Sequence, residues 1–400
     1  MDNYINVNKK GILMYQTIDN KVVDNVTYYT KGRAWVEINL KHLKCNIKSL
    51  KSLLPNNCEI IAVIKANAYS IGDITFSKVL NENGINNFAV ATVVEAINLR
   101  KHDIKGEILI FGYTHPFDFD LLIDFDLTQT VIDYEYAKLL DSYGKQIKVH
   151  IKIDTGMHRL GELSSNLLDI ERIYQCNNLI IQGSYTHLCV SNSLDPSDIA
   201  YTQLQINNFY HVINHLKSYG YNPGKLHIQS SYGILNYPTN QCDAVRCGIL
   251  LHGVFSKENE TTKLKISLNP ILSIKARIVI IKSILKGDPV GYNRNFVSTD
   301  TMRISVISIG YADGIPRNLS NGHVIVNGVK APIIGDICMD QIIIDITHIH
   351  NVKIGDIVTL LGQDGNEIIT AEEIAAKCNT ITNELIACLG DRLEHIYLDE

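Results

Sequence analysis

Between Glu59 and Cys247 the chain repeats one arrangement eight times, a short apolar strand-like run with helical patterns between most of the runs. The runs are Glu59–Ile64, Asn87–Ala91, Glu107–Phe111, Thr128–Ile132, Ile147–Ile153, Leu179–Ser184, Lys225–Gln229 and Asp243–Cys247. The apolar run Ile60–Ile64 reads as a strand buried on both faces, the pattern of a parallel sheet covered by helices. Eight repeats, within the roughly 230 residues from Arg33 to Lys263, suit a closed (β/α)8 TIM-like barrel, an α/β fold of about 250 residues, better than an open doubly wound sheet. The open sheet ranks second, because neither G-x-G-x-x-G nor a Walker motif occurs.

The flanks read differently. Residues 1–32 are polar with short apolar alternations and suggest an arm or linker. From Arg33 a short strand-like piece, Ala34–Ile38, leads through Asn39 as N-cap into a helix carrying Leu43, Ile47 and Leu50 on one face. After Ser256–Lys263 the texture becomes β-branched: Leu272–Ile281, Ile304–Ile309, Gly322–Val326, Ile333–Ile337, Ile342–Ile346 and Ile357–Leu361, then a helix near Thr370–Lys377. The expected division is a barrel over 33–263 and a mostly β C-terminal domain over 264–400.

A net charge of −5 with no basic block argues against nucleic acid or an anionic membrane surface as partner and leaves a small molecule. Nine cysteines, odd in number and never spaced Cys-x-x-Cys, argue against a disulfide framework or a zinc knuckle, so no metal is expected. The polar start and the lack of any apolar stretch of spanning length predict neither a signal peptide nor a membrane segment, hence a cytoplasmic location.

In a barrel the chemistry gathers just past the C-terminal strand ends. Five polar clusters fall there: Lys65 with Tyr69, Asp154-Thr155-Gly156-Met157-His158-Arg159, Thr186-His187, Ser230-Ser231, and Arg246 with Gly248-Ile249. Singly each has a bland reading: Lys65 a snorkelling strand end, His187 a core histidine, the serines a cap, Arg246 half of a salt bridge. Asp-Thr-Gly also matches the aspartic-protease triplet, but that chemistry needs paired carboxylates in an all-β fold. Together, an amine, an imidazole, hydroxyls beside a glycine backbone and two guanidiniums suit a phosphorylated aromatic aldehyde, pyridoxal 5'-phosphate.

From Arg33 on, the chain resembles the alanine racemase family, fold-type III pyridoxal-phosphate enzymes. The resemblance is carried by Ala62–Tyr69, Asp154–Gly161, Val245–Ile249, Gly291-Tyr292, Ile309–Gly314 and Ile337–Gln341. It implies Lys65 as the residue that takes the cofactor aldehyde and serves as one base, and Tyr292 from a second subunit as the other. The active site of such a homodimer is shared between subunits. The resemblance further implies Tyr69, Ser231, Gly248 and Ile249 as phosphate ligands, and Arg246 at the ring nitrogen with His227 as its partner. His187 is implied near the tyrosine base, and Arg159 with the Met339 backbone at the substrate carboxylate. Tyr311 and Asp340 are implied as supporting residues, and Lys152 as a lysine often carbamylated.

Two positions depart from the family pattern. Asn383 stands where alanine racemases usually carry a tyrosine, opening room beside the substrate β-carbon and offering an amide to a hydroxymethyl group. The change is similar to that in the serine/alanine racemases of vancomycin resistance, which implies D-serine supply for modified peptidoglycan precursors. A housekeeping alanine racemase making D-alanine for the cell wall is the alternative. Asp336 stands where many relatives carry an arginine near the substrate's path. A fold-type III decarboxylase is disfavoured by the missing glycine triplet and Cys-Glu-x-x-Asp segment, and a cofactor carrier without turnover by Tyr292 in a full second domain.

Overall fold

The computed structural model describes residues 32–238 and 242–399, with the backbone of residues 22–23 and 26–27 besides. The expected arm over 1–32 lies almost wholly outside the described residues.

Strand β1 (Ala34–Asn39) opens the fold, and Asn39 caps helix α1 (Leu40–Leu53) by accepting a hydrogen bond from His42 N at 2.9 Å. α1 buries Leu43, Ile47 and Leu50, a stripe at i, i+4 and i+7. Leu50 is fully enclosed, so truncating it to alanine costs about 2–5 kcal/mol.

Eight parallel strands follow: β2 (Glu59–Val63), β3 (Asn87–Val90), β4 (Glu107–Ile110), β5 (Thr128–Val131), β6 (Ile147–Asp154), β7 (Leu179–Tyr185), β8 (Lys225–His227) and β9 (Ala244–Cys247). They pair in the order β8-β7-β6-β5-β4-β3-β2-β9. The sheet ends meet through Asp243 N to Leu226 O and Arg246 N to Gln229 O, both 2.9 Å, so the strands form a nearly closed barrel. Each expected strand run lies on one of the eight. Helix α2 (Asp73–Glu82) and helix α3 (Val93–Lys101) match the expected helical stretches, and α3 starts on a reciprocal capping box between Thr92 and Glu95.

The C-terminal domain is a mostly antiparallel sheet built on the long strand β10 (Leu272–Ile284), which pairs with β11 (Met302–Ile307). Around them lie β12 (His323–Val326), β13 (Val329–Pro332), β14 (Ile342–Asp345), β15 (Ile357–Asp364) and β16 (Glu394–Leu398). β1 joins this sheet, antiparallel to β10 and parallel to β16, so the lead-in to the barrel is also a strand of the second domain. The run Ile333–Ile337, expected as a strand, makes only the isolated bridge Ile333 to Ile344. The ladder forms four residues earlier, at β13, where the Asn327-Gly328 turn sets the hairpin register with β12. Helices α4 (Ala371–Lys377) and α5 (Thr382–Ala387) close the domain against the barrel rim, through Thr382 N to Ser256 O at 2.9 Å and Phe255 N to Glu372 Oε1 at 2.9 Å.

Candidate active site

Past the C-terminal ends of the barrel strands lies a cavity of about 400 Å³, in the range of small-molecule sites. Its walls include Lys65, Tyr69, Lys152, Arg159, His187, Ser231, Arg246, Gly248, Ile249 and Asn383. Sequence reasoning had assigned all ten to one site. His227 lies directly behind Arg246.

Lys65 stands at the mouth of β2 because the chain turns sharply after Ile64. Ala66, Asn67, Ala68, Tyr69 and Ser70 all adopt left-handed backbone, with φ of 54°, 53°, 50°, 58° and 62°. Each such non-glycine residue costs about 1–2 kcal/mol, so the turn persists only because neighbours fix it. Ala66 N donates to Glu95 Oε1 at 2.8 Å, and Ser70 Oγ donates to Ala387 O at 2.8 Å. The carbonyls of Ala68 and Ser70 face Nε2 of His252 and His395 at 3.0 and 2.8 Å. Glu95 carries no site signal in the sequence beyond its place three residues after Thr92. Its second oxygen does cap α3, while its first anchors the residue next to Lys65.

Arg246 is buried and donates to His227 Nδ1 (2.9 Å), His227 O (2.6 Å), Thr186 O (2.7 Å), Ile228 O (3.0 Å) and His187 Nδ1 (3.3 Å). None of these acceptors is a carboxylate. Burial lowers its pKa to about 10, which leaves it a cation at neutral pH. Burial first, and Arg246 second, push His187 and His227 well below the usual histidine range, so both are neutral and can accept its protons. Tyr185, which sequence reasoning missed, stacks on His227 at 4.7 Å between ring centres. It places its face 5.1 Å from the Arg246 guanidinium and 5.5 Å from Lys152 Nζ. Its only signal in the sequence was its position at the end of a strand run.

Both lysines that line the cavity are perturbed. Lys65 is solvent-accessible at the mouth of the cavity, yet the surrounding protein lowers its pKa through desolvation, aided by Arg159 and opposed by Glu95. Lys152 is buried, and desolvation, with Arg246 and Arg159, lowers it to about 7. Asp154 is not a reactive carboxylate: its Oδ1 accepts from the backbone N–H groups of Gly156, Met157 and His158 at 2.9, 3.0 and 3.1 Å, shaping the loop that carries Arg159. Two lysines and two arginines therefore face a cavity whose described lining contains no acid, a wall suited to a ligand with several negative charges.

Four expected site residues lie elsewhere. Tyr292, Tyr311, Met339 and Asp340 belong to the C-terminal domain and do not line the cavity of their own chain. Tyr292 is 65% exposed and Met339 52%. Tyr311 N donates to Cys338 O at 3.0 Å, and Asp340 pairs with Arg392 at 2.9 Å.

A parallel barrel bearing this cationic cavity at its C-terminal rim, followed by a β domain, defines a protein shaped to hold a small polyanion beside a reactive amine. Comparison with known proteins narrows that class. Residues 38–256 match the alanine racemase N-terminal domain and residues 271–397 the alanine racemase C-terminal domain. An amino-acid racemase of Enterococcus faecalis is 44% identical over 91% of this chain, and a serine/alanine racemase of Enterococcus gallinarum 39% over 90%. The chain spans about half of each of these two relatives, 51% of their length. An alanine racemase of Methanococcus maripaludis is 37% identical over 91% of this chain and 98% of its own. The solved alanine racemase of Clostridium difficile 630 superposes with a TM-score of 0.86 at 31% identity, covering 93% of this chain and 97% of its own. That of Bacillus anthracis with bound L-Ala-P gives 0.86 at 32%, covering 92% and 95%. The chain belongs to the alanine racemase family.

That family uses pyridoxal phosphate, and the residues present fit it. The amine of Lys65 is lowered toward its neutral form, Ser231 Oγ and Gly248 N lie 3.3 Å apart at the cavity floor, and Arg246 is locked as a donor. A side chain at position 248 would place its Cβ 2.5 Å from the Tyr69 hydroxyl, so glycine keeps the backbone open beside that phenol.

Proposed function

We propose that this chain is a pyridoxal-phosphate-dependent amino-acid racemase that interconverts L- and D-serine as well as L- and D-alanine. Lys65 and Tyr292 are its two bases. Pyridoxal phosphate, when bound, supplies the electron withdrawal that loosens the substrate's Cα–H bond. Inversion then needs one group to take the proton from one face while another returns a proton to the opposite face. Lys65 Nζ is fitted to the first face by its lowered pKa. Tyr292, exposed and away from its own cavity, serves the opposite face of a partner's site, and Met339 reaches that site with it. Tyr311 and Asp340 support this wall of the site. The functional unit is therefore a homodimer.

Around the bases the division of labour follows from charge and geometry. Tyr69, Ser231 and the Gly248 and Ile249 backbone hold the phosphate. Arg159 holds the substrate carboxylate bidentately, a task a lysine performs poorly. Arg246 would stand at the ring nitrogen as a donor that keeps its own protons, which would restrain side reactions. His187, neutral and within 3.3 Å of Arg246, is the neighbour that receives the partner's tyrosine.

The observation that carries the serine reading is Asn383. Its Oδ1 is buried at the cavity wall with no hydrogen-bond partner among the described residues. An unsatisfied buried acceptor costs about 1–3 kcal/mol, and a turn of the amide into the cavity, where a serine hydroxyl donates to it, recovers that loss where alanine cannot. The E. gallinarum relative, a serine/alanine racemase by name, points the same way. The reading extends to D-serine supply for modified peptidoglycan precursors in vancomycin resistance. Full-length similarity to the M. maripaludis alanine racemase favours the alternative, D-alanine supply for ordinary cell wall. Purified protein loaded with pyridoxal phosphate and given L-serine or L-alanine in D2O separates the readings: serine inversion at or above the alanine rate supports the first, and alanine inversion alone supports the second. Cα exchange with neither amino acid overturns both.

A further inference from the structure

Tyr292 sits at the tip of a hairpin whose arms, Pro289–Val290 and Phe296–Val297, are only two residues long. Gly291, Asn293 and Arg294 at the tip have φ of 71°, 59° and 55°, so two side-chain-bearing residues beside the tyrosine lie in the left-handed region. The backbone bond across the tip, Asn295 N to Tyr292 O, is long at 3.5 Å. The arms are clamped at their base by Ser298 N to Asp288 O at 2.9 Å and Gly287 N to Ser298 O at 2.8 Å, so it is the tip itself that one long bond leaves weakly held.

A side chain some forty residues away supplies the restraint. Asp336 Oδ1 accepts from Asn295 Nδ2 at 3.0 Å, and Oδ2 accepts from Asn295 Nδ2 at 3.1 Å, Asn293 Nδ2 at 3.2 Å and Arg317 at 3.3 Å. The two amides follow Tyr292 by one and three residues. The carboxylate side chain is 15% exposed, and the backbone beneath it is fixed: Ile334 N donates to Ile343 O at 2.9 Å, and Ile334 packs with Val290 and Ile304 in a small apolar cluster. One carboxylate thus ties down the stretch of the tip that follows Tyr292, with Arg317 bound to Oδ2.

We propose that Asp336 is a positioning residue that holds the Tyr292 phenol where it meets the substrate. The inference rests on reading Tyr292 as the second base. Releasing the tip misplaces the phenol without touching Lys65. A displacement near 1 Å costs about 100-fold in a step that depends on alignment.

The two bases can be read separately. In D2O, Lys65 exchanges the α-proton of the enantiomer that faces it whether or not inversion follows, whereas inversion requires both bases. Asp336→Ala is expected to slow inversion at least about 10-fold while that exchange persists, raising the exchange-to-inversion ratio. Amide hydrogen exchange on the cofactor-free protein is expected to speed up over residues 289–297 and to remain unchanged in the barrel. Asp336→Asn, which keeps the shape and one acceptor oxygen, is expected to fall between, and it serves in place of the alanine variant if that one does not fold. An unchanged ratio together with unchanged amide exchange at the tip overturns the proposal. A wild-type protein that inverts no amino acid refutes the racemase reading instead, and the amide-exchange arm still decides whether Asp336 holds the tip.

Discussion

Arg246 donates to Nδ1 of His227 at 2.9 Å, and this contact requires an imidazole that stays neutral. Burial and the guanidinium itself keep it so. The cation at the centre of the site is therefore fixed by five neutral acceptors and by no carboxylate, which leaves its charge available to a bound anion.

Arg246→Lys tests that arrangement. A lysine cannot reach five acceptors spread over Thr186, His187, His227 and Ile228, and hydrogen bonds from a charged donor contribute about 1.5–3 kcal/mol each. Loss of at least about 3 kcal/mol is expected in urea unfolding of the cofactor-free protein. A loss below about 1 kcal/mol would show that the acceptors relax without cost.

Lys152 gives the fold a definite pH dependence. Its pKa falls from an ordinary 10.5 to about 7, with burial the main cause. Between those values the unfolded chain holds a proton that the folded chain does not. Stability from this group therefore rises with pH across the window, by up to about 1.4 kcal/mol per unit, and is flat below it. In CO2-free buffer, unfolding free energies of wild type and Lys152→Met measured at pH 7 and pH 9 are expected to show a larger rise for the wild type. Equal rises contradict the assignment. The same neutral amine is the form that adds CO2, so 13C-bicarbonate is expected to give a carbamate signal in the wild type that Lys152→Met lacks.

Asn383→Tyr fills the space beside the substrate and removes the orphaned acceptor. The ratio of kcat/KM for serine over alanine is expected to fall by about 10-fold or more, since one hydrogen bond to a buried acceptor is worth about 1–3 kcal/mol. An unchanged ratio means that Asn383 does not read the hydroxyl.

How much of this was legible in the sequence follows from the range of each interaction. Most of the barrel strands were legible because a strand buried on both faces is a contiguous apolar run, a local signal, whereas Thr128–Val131 and Lys225–His227, polar at most positions, stand out only by their place in the repeat. Lys65, Arg159, His187, Ser231 and Arg246 were legible because strand ends are ordered along the chain and converge by barrel geometry alone. The placement of β1 in the C-terminal sheet was not, since its partners β10 and β16 lie more than two hundred residues away. Glu95 was hidden because one oxygen performs an ordinary capping role, and the left-handed turn it anchors contains no glycine between Ala66 and Ser70 to announce it. Asp336 stood out in the sequence only as a departure from the arginine of many relatives, for its partners Asn293, Asn295 and Arg317 carry no pattern that distant positions can reveal.

Subunit complementation measures the central claim, that Lys65 of one protomer and Tyr292 of its partner act on a single substrate. Lys65→Ala and Tyr292→Phe proteins, each inactive alone, are unfolded together and refolded as a mixture. Random pairing makes about half of the dimers hybrids, each with one intact site of two, so inversion of serine or alanine is expected to return to about a quarter of the wild-type rate. A mixture as inactive as its parents, under conditions where wild type refolds fully, would contradict a site shared between subunits.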